Sequence, residues 1–210
     1  LMISFILFSL VQFLLATTPL DFSNYRPGTN HRPLFEAIVR DLIAEFEHPV
    51  ATAYRKNMEA TVDRIVIDEA LMDMYLMETA DPKEREAIAR FVLAHEYFHV
   101  ALKHPHTRDS VRTPREIEIR GAFADARKQM ETQVDHLAAK YLYKLKLPTE
   151  PIQRMFTSHP EFHGGEYYPT AAERAETVLK ARTPGIEQSH FDNQVIKCIF
   201  LLSRLAQKLP

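Results

Sequence analysis

From Lys83 to His104 the chain contains neither glycine nor proline, and Asp81-Pro82 stands directly before that stretch. So long an uninterrupted run has one simple solution, a helix. Asp81 can accept from the free N–H groups of the first turn, Pro82 suits the first helical position, and Glu84 completes a capping box. The pattern predicts a helix over 82–104. On it His95 and His99 are four residues apart, so their imidazoles lie on one face, one turn apart. Ile88, Phe91, Val92 and Leu102 share that face, which sets both histidines within an apolar stripe.

Two imidazoles so placed can share one cation. Cys198 is the only cysteine, which excludes thiolate clusters and an intramolecular disulfide, so a transition metal must be held by histidine and carboxylate. Glu96 follows His95 and faces the side where a bound water would sit, as a general base requires. A catalytic zinc needs a third protein ligand and an open fourth position. The expected helix at about 117–146 offers Glu131 and Asp135, spaced i, i+4, beside an apolar stripe of Val134, Leu137, Ala138 and Tyr141. Glu131 is the expected ligand, and Asp135 the acceptor for the free N–H of a ligand histidine. His136 and His163 compete by residue type. His136 lies about 140° further round the helix than Glu131, and His163 stands in a Gly-Gly loop. The plain alternatives are two core histidines and an acidic surface pair.

Around this pair of helices the chain reads as mainly α with a small β element, an α+β class. Apolar spacing predicts a helix over 34–47, and Arg64 to Asp68 (RIVID) is the best strand candidate, an isolated edge strand able to add an extended peptide. Leu71–Met77 and PIQRMF are expected to be helical, 157–170 a loop, and AAERAETVLKA a helix opened by Pro169 or Thr170. The tail over 193–209 is expected in the core. Residues 19–210 are expected to form a single domain. Residues 2–16 are apolar but short for a membrane span, and read equally as a buried helix or as a signal or anchor. That leaves a cytoplasmic, a membrane-associated or an exported protein open, with membrane contact through 2–16. A net charge of −2 gives no basis for a nucleic-acid partner.

HExxH followed some thirty residues later by E-x-x-x-D-x-x-A resembles the gluzincins, specifically the HtpX/CAAX prenyl protease-type metallopeptidases. RIVID and ALMDMYLM stand where that family has an edge strand and a helix. FVLAHEYFHVALKH is similar to its motif segment, with His104 at the trailing histidine. YPTAAERAETV is similar to its downstream element, with Tyr168-Pro169 and Arg174. The resemblance covers about residues 60–180. It implies a zincin-like fold with the motif helix packed against the ligand helix, and one Zn2+ per chain. It also implies a zinc-dependent endopeptidase acting on protein or peptide substrates through a zinc-activated water, with Glu96 as base. The chain departs from the family in having Tyr97 and Phe98 between the histidines, and Tyr168 where histidine is usual. His163, Tyr167 and Tyr168 are the candidates to stabilise the tetrahedral intermediate. Arg174 reads as a buried anchor to an acidic partner or as an exposed helix charge. The ImmA/IrrE-type metallopeptidases are similar over Phe91, Leu93 and Ala94. The alternative functions are a non-catalytic zinc-binding or regulatory domain and a metal-free helical interaction protein.

Overall fold

Six helices and one three-stranded sheet make up the described residues of this computed structural model, a mainly helical chain with a small β element. Residues 20–104, 114–159, 165 and 167–182 are described, with backbone alone at 114–123 and 182. Residues 2–16, His163 and the 193–209 tail lie outside them. No helix among the described residues is long and apolar enough to cross a membrane.

The first helix, α1 (Arg32–Phe46), buries Phe35, Ile38, Val39, Leu42 and Phe46, the one-sided spacing read from its sequence. Three strands follow: β1 (Ala51–Tyr54), β2 (Glu59–Ala60) and β3 (Arg64–Ile67). β3 is the strand expected from RIVID, but it is neither isolated nor at an edge. It lies at the centre in the order β1-β3-β2, parallel to β1 (Ala51 opposite Arg64) and antiparallel to β2 (Ala60 opposite Ile65). Its own ladder groups are therefore taken, and an added peptide would have to pair with β1 or β2. The sequence hid the flanking strands because β1 carries two alanines and β2 is two residues long. Ile65, Val66 and Ile67 are buried, which accounts for the β-branched run.

Asp68 starts the next helix, α2 (Glu69–Leu76): its Oδ1 accepts from the N–H groups of Ala70 and Leu71. Its Oδ2 accepts from the N–H of Asn57, tying the β1–β2 turn to the helix start. Helix α3 (Pro82–Ala101) carries the motif. Asp81 caps it through Lys83 N–H at 2.8 Å, as its sequence predicts, but the reciprocal half of the capping box is absent. Glu84 instead accepts from Thr79 Oγ1 and Arg154 Nη2, at 2.6 and 2.7 Å.

Helix α3 is buried on nearly every side, not along one stripe. It packs against α1, α2, the sheet, and the helices α4 (Pro114–Lys144) and α5 (Glu150–Ser158). Tyr97 and Phe98, the two unexpected aromatics of the motif, are fully buried. Tyr97 donates its hydroxyl to the His48 carbonyl at 3.1 Å, and Phe98 meets Phe46 edge-on at 5.0 Å between ring centres. Arg90, also buried, pairs with Asp41 of α1 and Glu86 of α3 and donates to Tyr141 of α4. One cation thus ties three helices.

The last helix, α6 (Ala171–Arg182), opens with a complete capping box. Thr170 Oγ1 accepts from Glu173 N–H, and Glu173 accepts from Thr170 N–H. It packs across α4 and α5.

Candidate metal centre

Helices α3 and α4 pack against each other, and Ala94, Ala138 and Ala139 on them are all buried. That approach brings His95 and His99 on α3 against Glu131 and Asp135 on α4. All four are buried; Glu131 is 2% and Asp135 0% exposed. The acidic pair is therefore no surface feature.

The Nε2 atoms of His95 and His99 lie 3.2 Å apart. Glu131 lies beside both, with Oε2 3.2 Å from His95 Nε2 and Oε1 3.4 Å from His99 Nε2. Two donors bound at about 2.0 Å to one tetrahedral zinc stand roughly 3.3 Å apart. The nitrogen spacing matches that. The chemistry of the set fits as well: two imidazole nitrogens and a buried carboxylate whose Oε1 accepts no hydrogen bond. His95, His99 and Glu131 are able to hold a metal ion.

The far side of each histidine is also built. His95 Nδ1 is 2.9 Å from Asp135 Oδ1, so Nδ1 carries the proton and Nε2 is left as the donor atom. Asp135 is in turn gripped by Arg174 of α6, which donates from Nε to Oδ2 and from Nη2 to Oδ1, both at 2.7 Å. The guanidinium lies 4.3 Å over the Phe156 ring. Arg174 is thus a buried anchor, not an exposed helix charge.

His99 is oriented differently. Helix α3 ends at Ala101, three residues before the expected end. Lys103 takes a left-handed conformation, φ 56°, and His104 N–H turns back to the His99 carbonyl at 3.0 Å while Lys103 N–H bonds that of Val100. This turn lays the His104 ring against His99, with Nδ1 to Nδ1 at 2.9 Å. A proton on His99 Nδ1 donated to His104 leaves His99 Nε2 free to bind a metal.

The charges follow from these contacts. Burial alone would raise the Glu131 carboxyl, but the imidazoles of His95 and His99 beside it outweigh burial and hold the group well below the usual carboxylate range. Burial likewise opposes ionisation of Asp135, and Arg174 more than offsets it. Burial pulls His95 down, yet Asp135 and Glu131 together carry it up to about 9. His99 is pushed down, chiefly by burial, with the charge of His95 adding to it. His104 is pushed down to about 4 by burial and by His99.

Glu96, next to His95, is half-buried, and His136 is half-buried on α4. Tyr168 is 40% exposed, its ring 5.6 Å from the guanidinium carbon of Arg127; Tyr167 is half-buried. Arg127 was not foreseen. It stands one turn before Glu131 on α4, with Nη2 2.8 Å from Glu131 Oε1. The signal for it was the i, i+4 spacing alone, in the less favourable order of cation before anion.

No family model, curated protein or solved structure matches the chain. What it does must be argued from these residues.

Proposed function

We propose that the chain is a zinc-dependent endopeptidase of gluzincin type, with His95, His99 and Glu131 as the ligands of one zinc and Glu96 as the general base. The observation that carries this reading is the buried His95–His99–Glu131 cluster backed by Asp135 and Arg174. A base directly after the first histidine of that cluster is what hydrolysis adds to metal binding. The Asp135–Arg174 pair favours the HtpX/CAAX-type resemblance over the ImmA/IrrE one, because Arg174 belongs to the YPTAAERAETV segment on which the first rests.

Zinc in this cluster would polarise a peptide carbonyl and make a nearby water more acidic. The chain's own residues do the rest. Glu96 takes a proton from the attacking water as the new C–O bond forms, and passes it to the amide nitrogen as the C–N bond breaks. Asp135 holds the His95 proton at Nδ1, and Arg174 keeps Asp135 ionised. His104 accepts from His99 and fixes its tautomer. The burial around the cluster excludes water that would screen these charges.

The test is metal analysis of protein purified without a histidine tag or chelator, followed by Glu96→Gln. One zinc per chain is expected in both proteins, with hydrolysis of a quenched-fluorescent peptide library lower by about 10²–10⁴-fold in the variant. Unchanged turnover in Glu96→Gln, or loss of its zinc, would count against the assignment.

A further inference from the structure

Most cations beside a metal ligand are a liability, because they compete with the metal for the same negative charge. Arg127 is placed in that position. Its Nη2 is 2.8 Å from Glu131 Oε1, while Oε1 is also 3.4 Å from His99 Nε2. Charge, not a directed hydrogen bond, pairs them, since Oε1 accepts none. The arrangement is built on one helix, residues 127 and 131 being i, i+4, and the Tyr168 ring lies against the guanidinium. The Arg127 side chain is 15% exposed and Glu131 2%, so the pair spans from the cluster toward solvent.

We propose that Arg127 is a positioning residue that tunes the metal: it draws negative charge from Glu131, so the ion is held less tightly and remains more electron-deficient. This rests on the ligand assignment made above. The consequence runs in an unusual direction. Removing a neighbour of a metal site normally weakens it, but removing this one strengthens it. A unit charge next to a divalent ion at a partly solvated site is worth on the order of tenfold in affinity. A more electron-deficient ion also polarises a carbonyl more strongly, so the same change slows turnover.

The experiment is competition of the full chain with a chromophoric chelator for Zn2+ and, separately, Co2+. Wild type is compared with Arg127→Gln, Arg127→Met and Arg127→Lys, each first checked by thermal melting. The two uncharged variants are expected to bind both ions about tenfold more tightly than wild type, and Arg127→Lys to bind as wild type does. Either uncharged variant alone decides the matter if the other fails to fold. Weaker or unchanged binding in an uncharged, folded variant overturns the proposal, as does tighter binding in Arg127→Lys. If wild type binds neither ion, the ligand assignment fails, which is a different result from a variant that merely matches wild type. On a cleaved peptide, the uncharged variants are expected to lose kcat with KM little changed, and Arg127→Lys to recover it.

Discussion

Asp135 shows how much of this site depends on single atoms. One carboxylate oxygen fixes the His95 proton and both accept from Arg174, so the residue links α3, α4 and α6. Removing it would leave Arg174 buried without its partner, a change that costs about 3–5 kcal/mol in comparable settings. The titrations of the neighbouring histidines give a sharper prediction for the metal-free protein. His95 is held at about 9 against an ordinary 6.5, so its contribution to stability is complete below pH 6.5 and is lost as pH rises through 9. His104 is held at about 4, so its contribution is complete above pH 6.5 and is lost as pH falls toward 4. The two slopes oppose each other. Melting temperature in a chelator is therefore expected to peak near pH 6.5 and fall on both sides. A curve that rises steadily from pH 6.5 to 9 would contradict the His95–Asp135–Glu131 arrangement.

At the scale of elements, the ends of α3 and α4 share one device. Each closes with a non-glycine residue in the left-handed region, Lys103 and Lys146, both at φ 56°. In each, the following N–H turns back to a carbonyl five residues earlier: His104 to His99 and Leu147 to Leu142. A lysine in that conformation is strained relative to glycine by about 1 kcal/mol, partly offset by the extra freedom glycine has when unfolded. Lys146→Gly is expected to stabilise the protein by roughly 0.5 kcal/mol, and Lys103→Gly by a similar amount while keeping His104 against His99. Paired thermal melts and a zinc titration check this. A lowered melting temperature in Lys146→Gly, which is remote from the cluster, would show that the turn does not carry the strain assigned to it. The sheet teaches the opposite lesson about local pattern. β3 was legible from its β-branched run, yet its central place came from β1 and β2, whose own sequences carry little strand signal.

For the whole molecule, a bound ion would join α3 to α4, the helix pair at the centre of the packing, so metal binding and global stability should be coupled. Ligand at a hundredfold over its dissociation constant stabilises the folded state by about 2.7 kcal/mol. For a chain of this size that corresponds to a rise of roughly 5–10 °C in melting temperature. Glu131→Ala is expected to abolish the zinc-dependent rise and lower zinc affinity by orders of magnitude, while His136→Ala keeps both. Differential scanning calorimetry with and without zinc makes the comparison. A full zinc-dependent shift in Glu131→Ala would remove Glu131 from the ligand set.

The sequence by itself determined what recurs at fixed local spacing. The i, i+4 pairs His95–His99 and Glu131–Asp135 needed only helical geometry to face one way, and the helix starts at Asp81 and Thr170 needed only their own hydrogen-bonding groups. The fold class followed from the same local periodicities. Tertiary structure alone decided what depends on which elements meet. It placed Arg174, on the last helix, against Asp135, and it buried α3 all round so that Tyr97 and Phe98 became core. It folded His104 back onto His99 through a left-handed lysine that no helical pattern foretells. Arg127 falls between the two cases. Its spacing from Glu131 was local and visible, but whether such a pair lies in solvent or against two buried histidines is set by the packing of α4 on α3. Periodicity says which residues share a face; only packing says what that face meets.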